Sequence, residues 1–139
     1  MGGGASAGST GVVSTLNITG GYFWANSFTL LAAGATNTAI INIGGTALVH
    51  LPAFPTLRGA GSTATLNFDG GTLRPTVSSA AYMSGLTNAF VKAGGVRFDT
   101  NGNDITVAQR LLKDATSFGG GLTKDGFGTL TLTGSNTFT

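Results

Sequence analysis

Three short stretches of the chain share one alternation. Leu16-Asn17-Ile18, Ile41-Asn42-Ile43 and Leu66-Asn67-Phe68 each place an apolar, a polar and an apolar residue in a row. Each then runs into a glycine pair: Gly20-Gly21, Gly44-Gly45 and Gly70-Gly71. Alternation of this kind sets successive side chains on opposite sides of a strand, here with the apolar pair inward and the asparagine outward. The glycines supply the positive φ that a sharp corner takes. Asn17, Asn42 and Asn67 are spaced by 25 residues. Looser copies are read at Val96-Arg97-Phe98-Asp99, before Asn101-Gly102, and at Leu130-Thr131-Leu132-Thr133, before Gly134.

Further strand-like pieces fall between these units, at Phe28–Leu31, Ala47–Leu51, Ala89–Lys92, Ile105–Ala108 and Asn136–Thr139. Two or three short strands in every 25 residues fit a solenoid better than a sandwich, because each turn of a coil must bring the chain back to the same face. The pattern therefore predicts an all-β parallel β-helix, a β-solenoid of about five coils. It occupies residues 12–139 as a single domain behind a Gly/Ala/Ser-rich, flexible lead-in over 1–11. The expected core stack is Leu16, Ile18, Ile41, Ile43, Leu66, Phe68, Val96, Phe98, Leu130 and Leu132. Equivalent positions on successive turns lie about 4.8 Å apart, so Asn17, Asn42 and Asn67 are expected to form an outward stacking ladder of side-chain amides. A charge introduced at Phe68 or Leu132 is expected to break the stack. Ser78–Lys92 carries a competing helical signal, with Tyr82, Leu86 and Phe90 spaced four apart, which Gly85 and Asn88 oppose.

Composition narrows the picture. The 139 residues include 24 glycines and 41% hydrophobic residues, with only 9% charged, so the chain is neither a polar linker nor a helical bundle. The net charge of +2 arises from seven scattered cations (Arg58, Arg74, Lys92, Arg97, Arg110, Lys113 and Lys124) against five aspartates. No stretch combines cations with aromatics as a nucleic-acid footprint would. No apolar run is long enough to insert in a membrane as a helix. The absence of cysteine removes disulfides and thiolate metal sites.

The last third carries a family resemblance. Gly120-Gly121-Leu122-Thr123-Lys124, followed by Asp125-Gly126-Phe127-Gly128-Thr129-Leu130-Thr131-Leu132-Thr133-Gly134-Ser135-Asn136-Thr137-Phe138-Thr139, resembles the passenger-associated transport repeat, also called the autotransporter-associated β-strand repeat. Ala93–Leu112 is similar to the rung that often precedes it, and the resemblance spans about 85–139. Asp125 and Phe127 stand where the family more often has Thr and Ala. The resemblance implies a right-handed parallel β-helix in a bacterial surface or secreted protein. There it serves as stalk and aids export, with no catalytic residue.

Candidate chemistry is sparse. Asp69 and Asp99 are read as occupying the same position in the repeat, just after the apolar pair. On adjacent coils they would approach the carboxylate spacing of a retaining glycosidase, although Asp before a glycine corner ordinarily caps the turn. Asp99–Asp104 alternates oxygen-bearing side chains as calcium loops do, without the glycine and glutamate of an EF-hand, and reads as a corner. His50, the only histidine, reads as a strand-end residue. Gly59–Ala64 matches a dinucleotide fingerprint in letters but precedes a strand, so it reads as a turn. No metal, no cofactor and no catalytic residue is expected, and the chain is not expected to be an enzyme. Tyr22, Phe23 and Trp24 form the one aromatic cluster; with Thr133, Thr137 and Phe138 they are candidate end-to-end contacts.

The expected function is a structural β-helical element at the cell surface or outside the cell: a rigid stalk, or a subunit stacking into a filament. Its partners would be copies of itself or adjacent repeats of a longer chain. The alternative is a glycan-binding or glycan-cleaving β-helix that meets cell-surface glycans.

Overall fold

The computed structural model describes residues 10–29, 36–56 and 60–139. Residues 1–9 of the expected lead-in over 1–11, Leu30 and Leu31 of one strand candidate, and Arg58 and Gly59 lie outside the described residues. Eleven strands follow one another: β1 (Val13–Ile18), β2 (Tyr22–Trp24), β3 (Thr38–Leu51), β4 (Thr63–Pro75), β5 (Ser79–Met83), β6 (Asn88–Val91), β7 (Val96–Asp99), β8 (Ile105–Val107), β9 (Leu112–Lys113), β10 (Leu122–Asp125) and β11 (Leu130–Leu132). Every pairing among them is parallel. No described residue is helical, so the helical signal in Ser78–Lys92 is overruled by β5 and β6. The chain is a parallel β-solenoid of about four turns, close to the expected five.

Three faces build it. The first stacks β1, the leading half of β3, the leading half of β4, then β6 and β9. The second stacks β2, the trailing halves of β3 and β4, then β7 and β10. The third stacks β5, β8 and β11. β3 and β4 pass from the first face to the second without a break, bending at Gly44-Gly45 and Gly70-Gly71. Stacked corners leave no room for a side chain there. Gly95 has φ +72, and a Cβ on it would lie 2.7 Å from the Gly121 carbonyl oxygen of the next rung, so the close approach and the backbone conformation both demand glycine.

The register shows where the period continues. Asn17 pairs with Asn42 and Asn42 with Asn67, but Asn67 then pairs with Phe90, and Phe90 with Leu112. Val96–Asp99 and Leu130–Leu132, read from the sequence as later copies of the first unit, belong to the second and third faces. Corner segments shortened by two or three residues carry the first face to Phe90 and Leu112 instead.

The core runs through all turns. Ile18, Ile41, Ile43, Leu66, Phe68, Val96 and Phe98 are buried, while Leu16, Leu130 and Leu132 are half-buried against it at the two ends. Val49, Leu51, Leu73, Met83, Val91, Ile105, Val107 and Leu111 complete it. Near the start, Phe23, Phe28 and Phe54 meet edge to face with ring centres 6.0 Å apart. Phe28 is thus half-buried against the core, although it lies in no strand. Asn136–Thr139 is not a strand either, yet it is tied down: Thr137 N–H donates to the Leu111 carbonyl at 2.9 Å.

One corner is held by a ladder of side chains. Val12 N–H donates to Asn37 Oδ1, Asn37 N–H to Ser62 Oγ, Ala64 N–H to Thr87 Oγ1, Leu86 N–H to Gln109 Oε1 and Leu111 N–H to Asn136 Oδ1, all at 2.9–3.0 Å. At this corner, before each strand of the first face, a polar side chain of the following turn accepts from the backbone below. This satisfies donors that strand pairing does not reach. Asn37, Ser62 and Gln109 are buried for that reason. At another turn Asp114 accepts from the Thr116 hydroxyl at 2.6 Å and the Thr116 N–H at 2.8 Å. Those two bonds hold its carboxyl below the usual carboxylate range.

Candidate functional site: the outer side of the second face

The second face carries four charged side chains, Arg74, Arg97, Asp99 and Asp125, on its outer side. Its alternation turns Phe23, Val49, Leu73 and Phe98 inward and leaves two outward files. One file runs Tyr22, Leu48, Thr72, Arg97, Thr123; the other runs Trp24, His50, Arg74, Asp99, Asp125. Within the second file Arg74 donates from Nε at 2.9 Å and from Nη2 at 2.5 Å to Asp99 Oδ2. Arg97 reaches across from the first file to pair with Asp125. Asp99 and Asp125 are neighbours on successive rungs, and each carboxylate is offset by its own arginine. That pairing lets like charges stack at rung spacing.

At the start of the same files, Tyr22 and Trp24 are 61% and 56% exposed. The Tyr22 hydroxyl bonds His50 Nδ1 at 2.5 Å, and the two rings meet edge to face at 5.9 Å. A shallow groove of ≈ 310 Å³ follows the adjoining glycine corner, bordered by Thr72, Arg97 and Thr123.

The sequence-level candidates resolve as follows. Asn42 donates its side-chain amide to Asn17 at 2.6 Å and Asn67 donates to Asn42 at 2.8 Å; the file then turns apolar with Phe90. Asp69 and Asp99 are not equivalent. Asp69 lies beside Gly44 at the end of the first face and accepts from Gly94 N–H at 2.8 Å, whereas Asp99 stands on the second face. The carboxylates brought onto adjacent rungs are Asp99 and Asp125, which spacing alone did not single out. The Asp99–Asp104 oxygens are engaged in the corner: Asp99 Oδ1 accepts from Asn101 N–H at 3.1 Å and Asp104 Oδ1 from Thr129 N–H at 2.8 Å. Asn101 has φ 50, as a corner asparagine can.

Of the six candidate end contacts, Phe23 and Phe138 are half-buried against the core of their own chain. Tyr22, Trp24, Thr133 and Thr137 are exposed, and Thr137 Oγ1 accepts from Lys113 N–H. Sequence reading missed Phe118 and Phe127, which project from corners of the last rung at 96% and 89% exposure. It also missed that Lys113 and Lys124 take the register positions held by Val91 and Phe98 one turn earlier.

Fold and surface together define a parallel β-solenoid with one charged, aromatic-tipped face. Compared with protein-family models, curated proteins and solved structures, the chain gives no match.

Proposed function

We propose that this chain is a non-catalytic structural element, a stiff rod segment of a bacterial surface or secreted protein. The observation that carries this reading is the continuity of parallel pairing on the first two faces, from β1 and β2 to β9 and β10, over one apolar core. Pairing of that kind adds length in equal steps and resists bending, because every rung is hydrogen-bonded to its neighbours. The resemblance of residues 85–139 to autotransporter repeats supports the surface setting. The stalk form is favoured over the end-to-end filament. Lys113 and Lys124 take the inward register positions of Val91 and Phe98, and stacking two copies through apolar ends would bury those charges without partners.

The test is insertion of a second copy of residues 38–62 after Ser62. Small-angle scattering should show the longest dimension growing by about 4.8 Å, one rung, at constant cross-section and with no loss of melting temperature. Inserting only residues 38–50 should break the fold, since half a turn carries the wrong side chains inward. Equal destabilisation by both insertions would sink the rod reading.

A further inference from the structure

The outer side of the second face has chemistry that a passive rod does not use. We propose that it binds a neutral oligosaccharide, seated on Tyr22 and Trp24.

The alternation of β2 sends Phe23 against the core and leaves the two flanking rings on one outer surface, two residues and so about 7 Å apart along the strand. An aromatic face carries partial negative charge, and the C–H bonds on one side of a sugar ring carry the complementary partial positive charge. Tyr22 is already fixed for that contact by its bond to His50, so little freedom is lost when a ligand arrives. Two rungs along the files, beyond Leu48 and His50, come hydrogen-bonding groups suited to hydroxyls. Arg74 uses Nε and Nη2 on Asp99 and keeps further guanidinium donors, and Thr72 stands beside it. The charges cancel in pairs, Arg74 with Asp99 and Arg97 with Asp125, so the surface offers polarity without net charge. That selects a neutral ligand over a polyanion. A protein partner would call for about 800 Å² of complementary surface on each side, whereas here the apolar area is two rings and Leu48, bounded by ion pairs.

Trp24 is the sole tryptophan of the chain and reports on its own site. Its emission is to be followed while the 139-residue protein is titrated with cellohexaose, xylohexaose, mannohexaose and, as the anionic comparison, oligogalacturonate. A saturable shift with at least one neutral hexasaccharide is expected. Tyr22→Ala should weaken it about tenfold with the melting temperature unchanged, and Tyr22→Phe should weaken it less. No saturable response to any neutral sugar overturns the proposal, as does a response to oligogalacturonate alone. Emission that shifts with protein concentration in the absence of sugar also overturns it, by making the patch a contact between copies. None of these outcomes touches the rod reading, which the insertion experiment decides separately.

Discussion

Asn42 sits one turn above Asn17 and donates its side-chain amide to it at 2.6 Å. The same residue accepts from Asn67 at 2.8 Å, so it makes two ladder bonds where Asn17 and Asn67 make one each. A net contribution of about 1 kcal/mol per bond sets the order of the variants. Asn42→Ala should cost about 2 kcal/mol and Asn17→Ala about half that, read from urea unfolding. Equal or inverted costs would show that the ladder contributes nothing beyond polarity.

The corner ladder is a sharper case, because three of its five acceptors, Asn37, Ser62 and Gln109, are buried. Gln109 Oε1 is the acceptor for Leu86 N–H at 2.9 Å, and both residues are buried. Gln109→Leu keeps the bulk and leaves that N–H without its partner, at a cost of about 1–3 kcal/mol. Hydrogen exchange should locate the loss, with Leu86 losing protection while Leu66 in the first face keeps it. Unchanged protection at Leu86 would refute the role assigned to the side chain.

Tyr82 presents the opposite situation. It is fully buried, and its hydroxyl has no hydrogen-bond partner among the described residues. Desolvation by burial pushes its phenol well above the ordinary tyrosine value. The folded state therefore holds the proton that the unfolded chain releases at about pH 10. The stability linked to Tyr82 is complete below that pH and is lost as pH rises through the ordinary value towards the raised one. Tyr82→Phe removes the stranded hydroxyl and should raise stability by about 1 kcal/mol at neutral pH. It should also flatten the fall in melting temperature above pH 10. A variant that unfolds at lower urea than the parent chain would contradict this.

Phe68 and Leu132 differ in depth although both occupy inward positions. Phe68 is fully buried in a middle turn and Leu132 half-buried on the last rung. Phe68→Ala should cost about 3–5 kcal/mol, and Leu132→Ala less than the 2–5 kcal/mol of a fully enclosed leucine. Calorimetric melting of both variants checks the order. By the same reasoning Phe68→Asp should abolish folding, while Leu132→Asp should fray the last rung and leave the rest intact.

The strands that repeat Leu-Asn-Ile were readable because two local rules act there without interference. Period-two alternation marks a half-buried strand, and a glycine pair marks its corner, so Asn17, Asn42 and Asn67 announced a 25-residue turn. The same rules misplaced Val96–Asp99 and Leu130–Leu132. Those segments obey the alternation equally well, and alternation does not say which face of a coil a strand joins. The true successor of Asn67 is Phe90, hidden because the polar outward residue has become aromatic and the turn has shortened to 23 residues. The Asp69–Asp99 pairing failed for the same reason, and Asp99–Asp125 went unseen.

By itself, then, the sequence determined the class of fold, the 25-residue length of the first turns, most of the core and the amide ladder, because alternation and glycine corners are local signals and the unit that carries them recurs every 25 residues. Only the tertiary structure decided which strands share a face, and with that the ion pairs Arg74–Asp99 and Arg97–Asp125, the Tyr22–His50 contact and the corner acceptors Asn37, Thr87 and Gln109. Those partners lie 23 to 28 residues apart. Their meeting depends on the length of every corner between them, and a change of one residue in a corner turns each following side chain to the other side of the sheet.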